Sequence, residues 1–432
     1  MRRSAILSKL SSTAFPRAAT AATATALSLL AFALPTAAAH AQEAVTAYTH
    51  ARILPGGAAP MTNATLVVGS GKVLAIGGAD LAVPEGATVV DCTGKTITPG
   101  LIDAAFLGGA SANDLNEQSD EVTPALRVLD VLDPEDKKFE RARRDGVTSV
   151  HVMPGTRNVV GGLGAVIKTF GTDPDAMVIK RDASMRIVLG AEPSQRNRAI
   201  RGGRVNSIYY RRPTTRMGVI WAVRSAFFEA QEAMQKTIAD PNAGAPSAGI
   251  EVLTQVLQGK MTAVTTARSE QDLRTALRIA EEFGYQTVID EAQDAYMVAD
   301  ELADAKVTVL LGAPSADSVS GFGRSDGATP RSGTVRVLAD KGVTFVITTG
   351  TNAAALPLVR EAMFAHRFGL SHQQALDAIT IRPAKLLGVD DRTGSLAKGK
   401  DADFVIWSQD PLDPAAVAES VHIDGNTVSQ TR

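Results

Sequence analysis

Few cysteines and few histidines occur in this chain of 432 residues. There is one cysteine, Cys92, and there are six histidines. A single cysteine excludes an intramolecular disulfide and a cysteine-based zinc cage. Its apolar neighbours in "VVDCTGKTI" indicate a small buried side chain rather than a nucleophile.

The chain also lacks a strong net charge. Its formal charge is -2 at pH 7, so it has no general attraction for nucleic acid or for an anionic membrane surface. We therefore predict no nucleic-acid partner. The hydrophobic content of 45% and the charged content of 21% are typical of a globular protein.

Long apolar runs are missing. The most apolar short stretch lies near the N-terminus. Arg2 and Arg3 precede "ALSLLAFAL" at 26–34, and small residues Ala39 and Ala41 follow. The run is shorter than the roughly 20 residues that span a bilayer, and this order of segments is that of a signal peptide. We predict that residues 1–41 are cleaved and that the protein is exported, either periplasmic or secreted. No stable membrane insertion is expected afterwards, and the export route, general or twin-arginine, stays open.

The mature sequence indicates two kinds of structure. Short strands with Gly-rich turns occupy both ends, whereas the middle alternates strands with amphipathic helices. In one such helix Ser269 is placed to cap the start and Gly284 to end it, and Ser371 with Gln374 forms a capping box for another. We predict an α/β fold: a (β/α)8 TIM-type barrel over 99–389, and a small composite β-sandwich from 42–98 plus 390–432.

Several segments together resemble one family. They are "ITPGLIDAAFLGG", "DLNEQSDEVTPALRVLD", "RARRDGVTSVHVMPGTRNVVGGLGAVIK", "PTTRMG", "ALRIAEEFG" and "GSLAKGKDADFVIWSQDPLD". They are similar to the amidohydrolase superfamily, and most of all to its exported, imidazolonepropionase-like branch. The resemblance implies a barrel beside a composite sandwich, zinc as the usual cofactor, and hydrolysis of non-peptide C–N bonds or small peptide-like amides.

The metal ligands that the resemblance implies are replaced in this sequence. The family has His-x-His just after Gly-Leu-Ile-Asp, where this chain has Ala105 and Leu107. Its Ile-Glu-His-Gly motif corresponds to "VIDEAQ", with Glu291 in the histidine position, and the aspartate of its eighth strand corresponds to Asn352. Alkyl side chains cannot ligate zinc, and an asparagine cannot accept a proton from water. We predict no bound metal and no cofactor.

The carboxylated lysine of the family has no clear counterpart. Lys168 and Lys180 are possible positions, while the strand "SMRIVLG" carries Arg186.

A few polar residues remain as catalytic candidates. His151 is the only histidine near the end of a barrel strand, and we interpret it as a hydrogen-bonded core histidine in preference to a base. Asp103 belongs to the strand signature of the fold. Asp290 and Glu291 are adjacent, so that at most one should face the barrel interior. The catalytic candidates are Glu291, Asn352 and His151.

An arginine-rich segment covers 193–228, with eight arginines and no acidic residue. Arginine forks bind carboxylates and phosphates in a bidentate manner, so we consider a small anionic ligand bound by Arg212 and Arg216. Pairing of these arginines with the acidic segment 113–121 is an equal alternative.

Two functions follow from these patterns. The chain is either a divergent amidohydrolase that works without the usual metals, or a catalytically inactive pseudoenzyme. The pseudoenzyme would bind an anionic ligand or pair with an intact relative, and homo-oligomers are a further possibility. The replaced ligands favour the inactive protein, whereas the resemblance favours a hydrolase.

The predicted cleavage can be tested on exported protein. We expect the mature chain to begin at Gln42 or a near neighbour, because Ala39 and Ala41 provide the small residues that signal peptidase requires. N-terminal sequencing and intact mass measure this directly. A membrane-bound product that keeps Met1 would contradict the prediction.

Overall fold

The computed structural model describes residues 45–117, 119–195, 212–240, 244–312, 331–350 and 356–431. Within them the chain forms two eight-stranded sheets with helices packed around the second. The strands are β1 (Thr46–Ile53), β2 (Met61–Gly69), β3 (Lys72–Gly77), β4 (Thr88–Asp91), β5 (Thr96–Pro99), β6 (Leu101–Phe106), β7 (Val147–Val152), β8 (Val160–Lys168), β9 (Val178–Val188), β10 (Thr262–Thr266), β11 (Thr287–Asp290), β12 (Thr308–Gly312), β13 (Thr344–Thr348), β14 (Phe404–Trp407), β15 (Ala418–Ile423) and β16 (Asn426–Gln430).

The described helices are mostly those of the barrel layer. They are α1 (Lys137–Arg144), α2 (Pro174–Met177), α3 (Arg216–Ala239), α4 (Ala248–Leu257), α5 (Glu270–Phe283), α6 (Ala299–Asp304), α7 (Thr334–Asp340), α8 (Leu358–Arg367), α9 (His372–Asp377) and α10 (Ile381–Leu387). Among the described residues, no helix combines the length and the apolar character needed to cross a membrane.

The predicted caps of two helices are confirmed. Ser269 accepts a hydrogen bond from the amide of Asp272 at the start of α5, and Gly284 ends that helix in the left-handed conformation, at φ 71°. Ser371 and Gln374 form the reciprocal capping box of α9. These side chains satisfy backbone donors that a helix end otherwise leaves unpaired.

The first sheet is built from both ends of the described chain. Its order is β16-β15-β14-β5-β1-β2-β3, and β4 pairs with β1. β14 lies antiparallel to β5, with Phe404 opposite Pro99. Its core includes Tyr48 against Phe404 with ring centroids 5.0 Å apart, and Phe404 stacked on His422 at 4.2 Å. Cys92 belongs to this core, and burial raises the pKa of its thiol to about 11.

The second sheet is the predicted TIM-type barrel, which is thereby confirmed together with the composite sheet. Its order is β13-β12-β11-β10-β9-β8-β7-β6. Neighbouring strands are parallel except at β8, which runs antiparallel to both β7 and β9. The barrel therefore departs from a regular (β/α)8 pattern at β8. No helix lies between β7 and β8, and only the four-residue α2 lies between β8 and β9.

The barrel closes between β6 and β13 through a short piece of irregular backbone. The Ile102 amide donates to the Ile379 carbonyl at 2.9 Å, and the Ile347 amide donates to the Ala378 carbonyl at 3.1 Å. The Asp103 carboxylate accepts from the hydroxyl and the amide of Thr349. The inner face of the barrel below the mouth is apolar, and includes Ile102, Val166, Val264, Val288, Leu310 and Val346.

A buried ionic cluster joins the base of the barrel to the first sheet. Lys168, 4% exposed, bonds Asp401 at 2.9 Å, Asp403 at 3.2 Å and Asp424 at 2.6 Å. Burial raises the pKa of Asp403 to about 6, whereas hydrogen bonds from Lys72 and Lys168 outweigh burial and lower the pKa of Asp401 to about 2. Lys168 pairs in register with Ser149 near the start of β7, so it lies at the opposite end from the barrel mouth.

Replacing Lys168 should weaken the fold strongly. Lys168→Met leaves buried carboxylates without their cation, and we expect the free energy of unfolding to fall by about 3–5 kcal/mol. Urea unfolding of the purified protein measures it. Lys236→Met is the control, since its pair with Glu232 is exposed on both sides and should leave the stability nearly unchanged. Equal effects of the two substitutions would refute the importance of the cluster.

Candidate functional site

The mouth of the barrel lies at the carboxyl ends of its parallel strands, where barrel enzymes place their sites. Arg186 lies near the end of β9, Thr266 at the end of β10, and Asp290 at the end of β11. All three side chains are at most 3% exposed. Val264 and Val288 belong to the inner core two residues earlier, so alternation places Thr266 and Asp290 on the inner face.

These three residues form one hydrogen-bonded group. Arg186 Nη2 donates to Asp290 Oδ2 at 2.6 Å and to Thr266 Oγ1 at 2.8 Å. Arg186 Nη1 donates to the Pro154 carbonyl at 3.1 Å. The second carboxylate oxygen, Asp290 Oδ1, is buried and has no hydrogen-bond partner among the described residues. Burial raises the pKa of Asp290 to about 6 in spite of the opposing charge of Arg186.

A second buried ion pair lies beside the first. Arg268 donates through Nε to Glu291 Oε2 and through Nη2 to Glu192 Oε2, the latter at 2.8 Å. Glu291 adopts a positive φ of 56°, so the backbone turns sharply directly after Asp290. Burial raises the pKa of Glu192, which also accepts from the Thr156 hydroxyl. The candidate base Glu291 is therefore held by an arginine.

Asp103 serves the closure of the barrel. It is 1% exposed and accepts from the Ala105 amide at 3.1 Å as well as from Thr349. Burial raises its pKa to about 6, and the hydrogen bonds from Thr349 and Ala105 oppose this shift. Its position agrees with the interpretation that it belongs to the fold signature.

His151 is buried in the layer of side chains beneath Arg186. Its Nδ1 lies 3.0 Å from the Ala104 carbonyl, and its Nε2 lies 3.0 Å from the Ser184 hydroxyl. Burial lowers its pKa to about 4, so the ring is neutral at pH 7. With both nitrogens bonded inside the protein, the geometry favours the core histidine over the catalytic one.

The described residues at the mouth do not fit a catalytic zinc ion. Ala105 is part of the inner apolar core, and a methyl group has no lone pair to offer. The buried carboxylate of Asp290 already bonds a guanidinium, whose charge opposes that of a metal cation. Across the described ranges, no three side chains among His, Cys, Asp and Glu converge as metal ligands.

The lysines considered for carboxylation lie elsewhere. Lys168 belongs to the ionic cluster at the base. Lys180 lies near the start of β9, and its Nζ donates to the Leu387 carbonyl at 2.7 Å. Arg186, near the other end of the same strand, lies at the mouth. One signal for it is visible in the sequence, an arginine within the apolar strand "SMRIVLG".

The structure describes only part of the arginine-rich segment. Arg216 begins α3, and its Nη2 lies 3.1 Å from Asp272 Oδ2 on α5. Arg224 bonds Glu282 of the same helix at 2.7 Å. Asp272 and Glu282 lie outside the acidic segment 113–121. Arg212 is exposed. The remaining five arginines of the segment, and the candidate Asn352, lie outside the described residues.

Two comparisons with known proteins indicate the same family. The model of the "Amidohydrolase family" matches residues 96–428. An amidohydrolase from Thermotoga maritima MSB8, known from a crystal structure, is 32% identical in sequence to this chain. The two structures match with a TM-score of 0.79, over 89% of this chain and 100% of that one.

Two relatives match over smaller shares of their length. Amidohydrolase tasK of Hapsidospora irregularis is 28% identical over 375 residues, which are 79% of this chain and 37% of the relative. An imidazolonepropionase of Shewanella baltica (strain OS155 / ATCC BAA-1091) is 33% identical over 94 residues, which are 21% of this chain and 22% of that protein. The chain thus spans well under two thirds of either relative.

A double-mutant cycle tests the ion pair at the mouth. Arg186→Met and Asp290→Leu should each lower the free energy of unfolding by about 3–5 kcal/mol, because each leaves one buried charge unpaired. The double variant should lose less than the sum, with a coupling of about 1–3 kcal/mol. Urea unfolding gives all four values. The exposed pair Arg336–Asp340 is the control, and a coupling no greater than that of the control would contradict the prediction.

Proposed function

Because the chain belongs to the amidohydrolase family, we propose that it is a member without a catalytic metal, which binds a small ligand at its barrel mouth and does not hydrolyse it. The observation that carries the proposal is the buried bond between Arg186 and Asp290. In this bond the Asp290 carboxylate is neutralised by a guanidinium group and not by a metal ion. It lies at the carboxyl ends of the barrel strands, where enzymes of this fold have their active sites.

The charge balance at the mouth supports the proposal. Hydrolysis of an amide needs an activated water and a polarised carbonyl, and in a zinc enzyme the metal supplies both. Here the two buried cations, Arg186 and Arg268, are each bonded to carboxylates. A guanidinium polarises a carbonyl weakly when it is already paired, and it does not generate hydroxide at neutral pH.

A second candidate function is a hydrolase that needs no metal. It is favoured by one observation. The pKa of the Asp290 carboxyl is raised to about 6, and its Oδ1 has no hydrogen-bond partner within the described part of the chain, and a general base works best near the operating pH. In that case Asp290 would take the proton of the attacking water. Glu291, Asn352 and His151 remain lesser candidates for such chemistry.

The proposal also covers the branch of the family, the location of the protein, a second ligand and its partners. The short match to an imidazolonepropionase supports placement near that branch, and the basic, apolar and small-residue order of 1–41 supports export to the periplasm or medium. A small anion at Arg212 and Arg216 is a second possible ligand. Self-association or pairing with an intact relative is a further role, and tasK has chain enough outside the matched region for another domain.

Metal analysis tests the proposal. We expect the purified protein to keep no stoichiometric zinc after dialysis, since the implied ligand positions hold Ala105, Leu107 and Glu291. Chelator should shift the melting temperature by less than about 1 °C, because no bound metal stabilises the native state. Elemental analysis and thermal melts provide the two readings, with a known zinc enzyme carried through the same purification.

Two results would count against this assignment. Retention of one or two equivalents of zinc would refute the metal-free site. Turnover of small amides by a zinc-free preparation, abolished in a folded Asp290→Asn variant, would establish the second candidate instead.

A further inference from the structure

Helix α3, the longest helix of the described chain, has apolar side chains on two opposite faces. One face belongs to the hydrophobic core, and its buried residues are Val219, Val223, Ala226, Phe227 and Ala230. The opposite face includes Met217, Trp221 and Phe228, which are 80%, 65% and 46% exposed. A helix in the outer layer of a domain needs only one apolar stripe. A second, exposed stripe is typical of a surface that contacts another molecule.

Met217, Trp221 and Phe228 form a continuous line, which we call the outer stripe of α3. Because an α-helix turns by about 100° per residue, Trp221 and Phe228 lie within about 40° of Met217 around the helix axis. The buried Val219 lies about 160° away from Met217. The outer stripe extends over about 16 Å of the helix, so it offers a surface along which a second helix can pack.

The middle of the outer stripe permits close approach of another helix. Arg224 and Ser225 lie midway between Trp221 and Phe228. Arg224 Nη2 bonds Glu282 of α5 at 2.7 Å, which holds the guanidinium to one side, and the serine side chain is small. Packed helices have their axes about 8–10 Å apart, depending on the side chains at the contact. An antiparallel copy of α3 centred here sets Trp221 of each chain against Phe228 of the other.

The charges of α3 favour this direction of pairing. The first half of the helix contains Arg216 and Arg224 and no acidic residue, which gives a formal charge of +2. The second half contains Glu229, Glu232 and Lys236, so two negative charges and one positive charge leave -1. The helix dipole has the same direction, positive at the N-terminus and negative at the C-terminus. Each half of α3 is therefore complementary to the other half of an antiparallel copy.

These charges also bear on the strength of the contact and on other partners. Arg216 and Arg224 already bond carboxylates of α5, so we expect the charges to select the direction of pairing more than to strengthen it. Glu229 and Glu232 are exposed beside the outer stripe, and both repel an anionic lipid surface. A second copy of this chain therefore fits the outer stripe better than a membrane does.

We propose that the outer stripe is the interface of a homodimer, in which α3 packs antiparallel against α3 of a second copy. A two-fold axis uses the same patch on both subunits, as the outer stripe allows. One helix per subunit buries less than the roughly 1,600 Å² of a standard interface, so we expect reversible association with a dissociation constant on the order of micromolar. The inference gives a surface to the self-association considered above, and it does not depend on metal content.

Association of the exported protein can be measured in two ways. Sedimentation velocity should show monomer passing to dimer between about 0.1 and 100 μM. The chain has two tryptophans, and Trp407 is 2% exposed, so a blue shift of the emission with rising concentration reports the burial of Trp221. A monomer with unshifted emission throughout this range would overturn the inference.

A substitution in the outer stripe tests the surface. Trp221→Glu should weaken association by about thirtyfold or more, as for an aromatic residue at the centre of an interface. The helix should persist, because glutamate is a good helix former. Val89→Glu is the matched control, since Val89 is 58% exposed on β4 of the first sheet, and it should leave association unchanged. A dimer that survives Trp221→Glu, or is lost equally in Val89→Glu, would refute this surface.

A pair of substitutions at one position tests the antiparallel direction. Met217 lies as far before the midpoint of the outer stripe as Glu232 lies after it. Met217→Glu therefore places like charges together across the dimer and should weaken association severalfold more than Met217→Lys does. Adding Glu232→Lys to Met217→Glu should restore part of the loss. Equal effects of the two Met217 substitutions, without rescue, would overturn the antiparallel pairing.

A lipid surface is the alternative that the same variants exclude. Vesicles of phosphatidylethanolamine and phosphatidylglycerol should not sediment the protein. Binding to these vesicles by a protein that stays monomeric, lost in Trp221→Glu, would refute the dimer and establish membrane docking instead. Because zinc content is measured separately, a monomeric protein without zinc would refute this inference and leave the metal-free assignment standing.

Discussion

The buried bond between Arg186 and Asp290 is the interaction on which the mouth of the barrel depends. In a medium of low dielectric constant, neither charge is tolerated without the other. Arg186 also binds the Thr266 hydroxyl at 2.8 Å. The barrel thus has a positive charge among carboxylates at the carboxyl ends of its strands. This charge belongs to a side chain, so unlike a metal ion it cannot exchange or bind water as a ligand.

The barrel has a layered interior that explains how it tolerates such a group. Ionic residues lie at both ends, with Arg186 and Asp290 at the mouth and Lys168 among its aspartates at the base. Between them lies a layer of aliphatic side chains, which gains stability from burial without directional requirements. The ion pairs at the two ends require particular distances and directions between their side chains. At the base, these hold the first sheet in a fixed relation to β8.

Local signals made part of this structure predictable. The capped helices α5 and α9, the strand-rich ends and the barrel follow from residue patterns of short range. The antiparallel course of β8 does not, because alternation marks a strand and says nothing of its direction. Arg216 pairs with Asp272 on a neighbouring helix, and Arg186 bonds Asp290 across more than a hundred residues of sequence. Such pairs depend on strand register, which a single sequence does not reveal.

The order of strands in the first sheet has a consequence for synthesis of the protein. β5 (Thr96–Pro99) pairs on one side with β14 (Phe404–Trp407), which the ribosome makes only after the whole barrel. Until then the growing chain exposes the edge of β5, whose four residues are all buried in the finished fold. An open, apolar edge is a template for pairing with other chains. During synthesis, shielding of this edge until the last strands are made therefore protects the chain from pairing with other chains.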